Sequence, residues 1–276
     1  MAELLGENGK GEGIASDAAS AEARRSAFMK DLVHDLSTPL TPIAGYLTLL
    51  RGERMGPLTA QQRKAVEAMA GAVVRLTRIV ENLSDLASLQ EGPSAIRAGP
   101  VHPDDLAEAA ASEMRAAVLD ARLHLEVRTA GGGEMIGDAR KLRQALTSVL
   151  QNAVKFSPHG GEVLLEVSRN ADVVRFSVYD QGPGISAAEA ADLFEPFQRS
   201  ARPEELRRPG SGLGLPVAGR IAAAHGGRLT VESPPHTQPT SGSRDFSGSK
   251  FVIEIPLRPA ATAPAPPPPA PAHASR

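Results

Sequence analysis

The sequence Asp180-Gln181-Gly182-Pro183-Gly184-Ile185 directly follows a segment with the alternating pattern of a β-strand. A second glycine cluster, GSGLGL at residues 210–215, directly precedes a helical pattern. Glycines let a backbone approach phosphate groups closely, and the unpaired N–H groups at a helix N-terminus attract an anion. One cluster behind a strand and another before a helix suit a phosphate-binding site in a mixed α/β domain, although two glycine clusters alone are weak evidence because loops are commonly rich in glycine.

A third motif, NAVKFSP at residues 152–158, ends a helical pattern that Asp138 caps. Asn152 and Lys155 are three residues apart on that helix and share a face, so an amide oxygen and an ammonium group can face one triphosphate with its metal. Mg²⁺ keeps most of its shell as water and phosphate oxygen, so a single Asn ligand is sufficient. The motif therefore favours a triphosphate with bound Mg²⁺, for which Asn152 is the candidate ligand.

Around these motifs the pattern is mixed α/β. The expected helices are 103–120, 138–155 and 213–225, and the expected strands are 123–127, 162–167, 173–179, 228–232 and 251–255. Residues 234–249, rich in Pro, Ser, Thr and Gly, are expected to form a long connecting loop. We place an α/β domain with the phosphate-binding motifs at 97–258 and a disordered Pro/Ala-rich tail at 259–276.

The first third of the chain has the pattern of two long amphipathic helices. Apolar residues recur at steps of three and four over residues 21–50, and again after Thr59 as a heptad seam. We therefore predict an antiparallel helical hairpin over 21–92, preceded by a flexible lead at 1–20. A single hairpin would leave much of its apolar face exposed, which favours a dimeric four-helix bundle; packing of both helices on the rest of the same chain is the alternative.

Residues 34–40, HDLSTPL, lie inside the first of these helices. Histidine titrates near neutral pH, so Asp35 can fix the tautomer of His34 and leave the other ring nitrogen free to attack an electrophile. Taken alone, the pair is more often a solvated surface His and Asp than a nucleophile with its orienting acid. Pro39 and Pro42 lack the N–H that a helix interior requires, which predicts a kink beside His34.

The composition excludes several classes of function. The 276 residues carry a formal net charge of -2 and 22% charged residues, so neither nucleic acid nor a membrane surface is an expected partner. Without cysteine, disulfides, thiolate metal sites and thiol catalysis are excluded. No apolar run approaches the ~20 residues of a membrane helix, and the N-terminus lacks the pattern of a secretory signal. We expect a cytoplasmic protein without membrane insertion.

Together, the motifs resemble the catalytic core of a bacterial sensor histidine kinase of two-component signalling. In order, the chain carries a phosphoacceptor box, an asparagine box, a first glycine box, a phenylalanine box and a second glycine box; these lie at residues 34–40, 152–158, 180–184, 193–197 and 210–214. SGSKF at residues 247–251 resembles the small glycine motif before the last strand of the family. The resemblance covers about residues 21–258, and five boxes in this order are highly specific.

The resemblance implies an α+β protein. Its helical hairpin would dimerise and carry the phosphoacceptor, and a two-layer α/β sandwich of the Bergerat type, shared with the gyrase and Hsp90 ATPases, would bind ATP and Mg²⁺. His34 would be autophosphorylated, with Asp35 as base or orienting group, and the phosphoryl group would pass to an aspartate of a response regulator. Thr38 would position water for dephosphorylating that regulator, unless its hydroxyl bonds back to its own helix. A separate sensor or upstream protein would supply the input.

The same resemblance assigns the ATP-binding residues. Asp180 would accept a hydrogen bond from the adenine amino group, Asn152 would hold Mg²⁺, and Lys155 would contact phosphate. The remaining nucleotide-pocket and lid residues would be Gly182, Gly184, Phe194, Phe197, Arg199, Gly210, Gly212, Leu213 and Gly214. Core packing is the alternative role for the two phenylalanines, and a solvated lid charge is the alternative for Arg199.

Two positions depart from the family pattern. Ser37 replaces the basic residue common two positions before the proline, which puts phosphate attraction or partner choice in doubt. Ser148 stands where these kinases often carry a second Asn and the related ATPases carry a water-activating Glu. A nucleotide-switched scaffold or regulator phosphatase and a free-standing ATPase are the alternative functions, and the missing Glu argues against the second.

Overall fold

The computed structural model describes residues 8–89, 96–131, 133–198, 210–236, 239 and 245–258. The predicted tail at 259–276 and Arg199 of the predicted lid lie outside these ranges. Within them, no helix is both long enough and apolar enough to cross a bilayer.

The predicted helical hairpin is present. Helix α1 spans Asn8–Arg51 and runs through both prolines, and helix α2 spans Ala60–Ser88. Thr59 begins α2 with a capping box, in which its hydroxyl accepts from the Gln62 N–H and the Gln62 side chain accepts from the Thr59 N–H. Arg51 pairs with Glu67 across the antiparallel helices at 3.1 Å. The hairpin is therefore fixed by its turn as well as by its apolar seam.

Helix α1 begins at Asn8, so the flexible lead expected at residues 1–20 is wrong from Asn8 onward. The segment lacks an apolar stripe, and that absence is why the sequence favoured a flexible lead. Residues 8–20 contain three alanines, which favour a helix, and three glycines, which disfavour it, so intrinsic propensity alone does not decide the segment. A helix that is already nucleated further along can extend through such a segment without packing.

The hairpin seam is divided between a buried row and an exposed row. Leu40, Leu47, Val66 and Val80 are buried between the two helices. Three other apolar side chains of the predicted seam are 42–49% exposed: Ile43, Met69 and Leu76. One hairpin thus covers only part of its apolar surface.

The remaining chain forms a five-stranded mixed sheet under a layer of helices. Its strands are β2 His124–Thr129, β4 Glu162–Asn170, β5 Val173–Asp180, β6 Arg228–Glu232 and β7 Lys250–Pro256, in the order β2-β4-β5-β7-β6. Only β2 and β4 are parallel; the other pairs are antiparallel. The helices are α3 Pro103–Asp120, α4 Ala139–Phe156 and α6 Gly214–Ala224, whose apolar faces form one core with the sheet. This arrangement confirms the predicted α+β fold with its two-layer sandwich.

Three short elements were not expected from the sequence. Strands β1 Gly99–Val101 and β3 Met135–Gly137 form a separate two-stranded antiparallel sheet, and helix α5 covers Ala187–Asp192. The Ile136 N–H donates to the Leu257 carbonyl, which ties this small sheet to the end of β7.

A second apolar cluster covers one end of the other face of the sheet. Phe246 packs on Tyr179 with ring centroids 5.6 Å apart, and Leu164 completes the cluster. Because Phe246 is anchored there, residues 247–249 pass directly over the end of β5. The end of the predicted loop, residues 246–249, is therefore held against the sheet beside Asp180.

His225 connects the two helices that flank the predicted ATP site. Its ring is 1% exposed; Nδ1 donates to the Ile221 carbonyl at 2.7 Å, and Nε2 accepts from the Asp138 N–H at 2.9 Å. Burial lowers the pKa of His225, so the neutral ring with a proton on Nδ1 is the folded form. The end of α6 is thereby fixed to the N-cap of α4.

We expect His225→Gln to lower the free energy of unfolding by at least about 1 kcal/mol at neutral pH, because it disturbs two buried hydrogen bonds. Below pH ~6.5 the unfolded histidine binds a proton that the folded ring excludes, so the advantage of the parent protein must shrink as pH falls. Urea unfolding of both proteins at about pH 7.5 and 5.5 measures this change. A gap that is constant with pH would contradict the neutral-ring assignment, and the exposed His236→Gln serves as control.

Candidate functional site: a nucleotide pocket and a separate phosphoacceptor helix

Asp180 is a buried carboxylate at the end of β5. It is 4% exposed, and its Oδ1 accepts from the Gly182 N–H at 2.8 Å and from the Ser249 N–H at 3.1 Å. Burial raises the pKa of Asp180 to about 6, although both hydrogen bonds lower it. Both hydrogen bonds are accepted by Oδ1, so Oδ2 accepts neither of them. Burying an ionised carboxylate costs folding free energy, and groups kept at such a cost are often functional.

Two glycines allow the backbone to close around this carboxylate. A Cβ atom on Gly182 would lie 2.9 Å from Asp180 Oδ1 and 3.3 Å from the Phe156 carbonyl oxygen, and one on Gly248 would overlap both Asp180 Oδ1 and the Gly182 nitrogen. Gly184 has φ +75°, in the left-handed region that favours glycine. The first glycine box and residue 248 therefore form a single cradle.

Ser233 completes the cradle and was not singled out by the sequence. Its hydroxyl donates to the Gly248 carbonyl at 2.8 Å and accepts from the Ile185 N–H at 2.8 Å. Gly248 belongs to the small glycine motif at residues 247–251, so the sequence carried a signal for it. Nothing local marks Ser233, which meets the cradle only through the pairing of β6 with β7.

The C-terminal end of α4 brings Asn152 and Lys155 to the same region. Both side chains are half-buried, and Lys155 Nζ lies 4.6 Å from the centroid of the Phe156 ring. A Cβ atom on Gly210 would lie 2.8 Å from Lys155 Nζ, so the second glycine box begins against this ammonium group. The asparagine box thus contacts both glycine boxes, through Phe156 on one side and Lys155 on the other.

The second glycine box leads directly into α6. Gly212 has φ +71°, and a Cβ atom there would lie 2.7 Å from the Gln198 carbonyl oxygen. Gly214 lies beside Ser148, whose Cβ would be 3.6 Å from an added Cβ. Leu213, the N-cap residue of α6, makes no side-chain capping hydrogen bond to the first turn of the helix. The side chain of Leu213 is completely buried in the core, so any contact of Leu213 with a nucleotide would come from its backbone.

The two phenylalanines of the phenylalanine box have different surroundings. Phe194 packs against the main core, whereas Phe197 is 59% exposed and has φ +67°. The Phe197 N–H donates to the Gly212 carbonyl at 3.2 Å. Core packing therefore accounts for Phe194 alone, while the backbone of Phe197 holds the second glycine box.

His34 and Asp35 are both exposed and lie on α1, outside the elements that carry the glycine boxes. Thr38 is exposed too, and its hydroxyl donates to the His34 carbonyl at 2.9 Å, as the back-bonding alternative expected. Ser37 likewise donates to the Val33 carbonyl at 2.7 Å. The site residues thus form two groups, one in the sandwich and one on the hairpin.

The site residues in the α/β sandwich fit a purine nucleoside triphosphate. A buried carboxylate oxygen can accept from an exocyclic amino group, and glycine backbones leave room for phosphates beside an ammonium group. The Asn152 amide oxygen is a hard ligand of the kind that Mg²⁺ accepts, and bound Mg²⁺ would neutralise phosphate charge. Among the described residues, no cluster of His, Asp or Glu could hold a metal ion by itself.

Comparisons with known proteins agree with this division into two groups. The family model "His Kinase A (phospho-acceptor) domain" matches residues 24–92. The model "Histidine kinase-, DNA gyrase B-, and HSP90-like ATPase" matches residues 137–259. The first match contains His34, and the second contains Asn152 and Asp180.

Individual relatives and solved structures are similar to the chain over the same regions. The circadian input-output histidine kinase CikA of Synechococcus elongatus is 31% identical over 87% of this chain and 31% of its own length. A full-length structure of ShkA in complex with AMPPNP has a TM-score of 0.63, with 29% identity over 83% of this chain and 45% of its own. The mycobacterial sensor histidine kinase MprB has a TM-score of 0.50, with 30% identity over 59% of this chain and 100% of the solved chain.

The chain spans 26–49% of the length of the first three curated relatives that it matches. The similarity therefore concerns a core that these longer proteins share. With both domain models in order along the chain, and a solved relative matched along its whole length, the chain belongs to the sensor histidine kinase family, whose phosphoacceptor and ATP-binding catalytic core it contains.

Proposed function

We propose that the chain is an ATP-dependent protein-histidine kinase that autophosphorylates His34 and then transfers the phosphoryl group to an aspartate of a response regulator. Buried Asp180 carries the proposal, because its raised pKa and its two N–H donors make it a specific acceptor beside phosphate-binding glycines. The exposed position of His34 supports it as the group that is phosphorylated. Asn152 holds Mg²⁺, and Lys155 contacts phosphate.

In the transfer step, a ring nitrogen of His34 attacks the γ-phosphorus of ATP. A P–N bond forms while the bond between the γ-phosphorus and the β–γ bridging oxygen breaks, and ADP leaves with that oxygen. Asp35 accepts the proton of the other ring nitrogen or, through a hydrogen bond to that nitrogen, orients the ring. An imidazole nitrogen needs little activation near pH 7, so the protein contributes mainly by positioning His34 and by neutralising phosphate charge.

The exposed row of the hairpin seam supports a homodimer as the active form. Ile43, Met69 and Leu76 lie on the surface of one hairpin, and a second copy would cover them. A four-helix bundle would leave His34 accessible to an ATP-binding domain of either subunit and to a response regulator. The back-bonded hydroxyl of Thr38 gives no support to the phosphatase alternative.

Labelling with γ-³²P ATP and Mg²⁺ tests this function. The phosphoprotein should be labile in acid and stable in alkali, as phosphohistidine is, and adding the cognate response regulator should remove the label. Steady ATP turnover without a phosphoprotein would instead identify a free-standing ATPase.

We further expect Gly248→Ala to weaken ATP binding by about tenfold or more, because the new methyl group displaces the Asp180 carboxylate from its N–H donors. Gly219→Ala is the matched control, since a Cβ atom at that helical position meets nothing within 4 Å. Isothermal titration with a non-hydrolysable ATP analogue measures both proteins. Equal affinities would show that the cradle is not part of the nucleotide site.

A further inference from the structure

Ser233 directly follows β6, and its half-buried side chain uses the full hydrogen-bonding capacity of a hydroxyl group. The hydroxyl donates to the Gly248 carbonyl at 2.8 Å, accepts from the Ile185 N–H at 2.8 Å and accepts from the Ser249 hydroxyl at 3.3 Å. A serine hydroxyl has one proton to donate and two lone pairs that accept. One side chain therefore joins two separate segments of the chain.

Residues 182–185 and 248–249 are these two segments, and both hold the Asp180 carboxylate. Each segment supplies one N–H donor to Asp180 Oδ1, at 2.8 Å from the first and 3.1 Å from the second. Ser233 bonds to both segments, and within the described residues it makes no hydrogen bond to Asp180 itself. The spacing of the two N–H donors around the carboxylate thus depends on Ser233.

The second segment is itself fixed to the end of β5. The Asp180 N–H donates to the Ser249 carbonyl at 2.9 Å, and the Gly248 N–H donates to the Asp180 carbonyl at 3.3 Å. Ser233 therefore holds the first segment against a support that does not depend on Ser233. Because Ser186, the N-cap of α5, directly follows the first segment, this attachment also fixes the point where the first glycine box ends.

Gly184 leaves the space that the Ser233 hydroxyl occupies. A Cβ atom on Gly184 would lie 3.1 Å from Ser233 Oγ and 3.7 Å from the Gly248 carbonyl oxygen. The first of these distances is shorter than an ordinary van der Waals contact. Gly184 thus contributes to the site in two ways: it adopts a positive φ, and it lets the hydroxyl reach the next N–H of the chain.

The placement of Asp180 decides which purine the site accepts. Adenine presents an amino group that donates to the carboxylate, whereas guanine presents a carbonyl oxygen at the equivalent ring position, which a carboxylate repels. We propose that Ser233 is a positioning residue that sets the preference of the nucleotide site for adenine over guanine, because it holds residues 182–185 and 248–249 at the spacing that directs Asp180 Oδ2 towards the base. This inference rests on the proposed function, in which Asp180 recognises the adenine amino group.

Loss of the Ser233 hydroxyl affects the two nucleotides differently. A displaced Asp180 carboxylate loses its hydrogen bond to adenine and repels guanine less, so the affinity for ATP falls while the affinity for GTP is unchanged or rises. A general loosening of the fold would instead weaken the binding of both nucleotides by the same factor. The ratio of the two affinities therefore distinguishes positioning of Asp180 from a purely structural role.

Matched substitutions at residue 233 test the proposal. Ser233→Thr keeps the hydroxyl, Ser233→Val has the shape of threonine without it, and Ser233→Ala removes it without adding volume. We expect the ratio of ATP to GTP affinity, measured by calorimetry with non-hydrolysable analogues, to fall about tenfold in Ser233→Ala and Ser233→Val and to stay within about threefold of the parent in Ser233→Thr. Ser168→Ala, at another half-buried serine of the sheet, is the control and should leave the ratio unchanged.

The melting temperature of each variant without nucleotide shows whether the variant is folded, and the comparison of Ser233→Thr with Ser233→Val decides the proposal even if Ser233→Ala unfolds. Equal ratios in these two variants, an equal loss of ATP and GTP affinity, or a parent protein without preference for ATP would overturn the role of Ser233. Calorimetry requires no phosphoryl transfer. A parent that prefers ATP but forms no phosphohistidine would therefore contradict the proposed kinase function, and the ratios would still decide the role of Ser233.

Discussion

Asp180→Asn is expected to reduce ATP affinity by about 100-fold or more while leaving the fold at least as stable as the parent. An asparagine Oδ1 can still accept from the Gly182 and Ser249 N–H groups, so the cradle keeps its shape. The asparagine Nδ2, an NH₂ group, then takes the place of Asp180 Oδ2. A donor would face the donor of the adenine amino group, and a buried polar group without a partner is costly.

The sign of the stability change follows from the raised pKa of Asp180. The unfolded carboxyl titrates near 3.8 and the folded one near 6, so the folded protein binds more protons between these values and loses stability as pH rises through that interval. Above pH ~6 the parent carries this cost in full, of the order of 1–3 kcal/mol, and Asp180→Asn does not.

Thermal unfolding without nucleotide tests this expectation. The melting temperature of Asp180→Asn should exceed that of the parent near pH 7.5, and the difference should shrink as pH is lowered towards 4. Asp172→Asn, on the exposed turn between β4 and β5, is the control for loss of one negative charge. Tight ATP binding by Asp180→Asn would remove Asp180 from the recognition site.

His34→Gln should abolish the phosphoprotein, with label incorporation below about one hundredth of the parent, because no other group replaces the nucleophile. Its affinity for ATP should be unchanged, since His34 lies on α1 and makes no described hydrogen bond to the glycine boxes. Acid-labile label is quantified after gel electrophoresis, and ATP binding is measured by titration.

The combination of the two readouts distinguishes His34 from Asn152. Asn152→Ala should lose phosphorylation because it loses Mg²⁺, and its affinity for Mg²⁺-ATP should fall as well. His124→Gln, another exposed histidine, should retain both activities. Stoichiometric label in His34→Gln would assign the phosphoacceptor to a different residue.

Regular patterns account for the parts of the fold that the sequence predicted. The heptad seam and the Thr59 cap define the hairpin, because burial and capping are both local signals. The antiparallel pair β4 and β5 follows from alternation around a short turn. By contrast, β1 and β3 are three residues long, too short for any period to be visible, and they pair across the 33 residues that separate Val101 from Met135.

The candidate site was predictable where its residues belong to a motif and not where distant segments meet. The sequence motifs that contain Asp180, Asn152 and Lys155 indicate the chemistry of these residues by residue type. Ser233 reaches the cradle because β6 lies beside β7, and this register depends on the whole sheet. The ion pair between Asp85 of α2 and Lys141 of α4 likewise depends on how two domains meet, which no local pattern encodes.

Helix α4 contacts the core, the hairpin and the predicted nucleotide site. Its eight buried residues face the core, its N-cap is tied to His225, its last turn carries Lys155, and its side contacts α2. Few of its eighteen residues make no structural contact. One substitution in α4 therefore alters several of these contacts at once, so we expect it to disturb the ATP-binding domain more than a substitution on an exposed face of the hairpin.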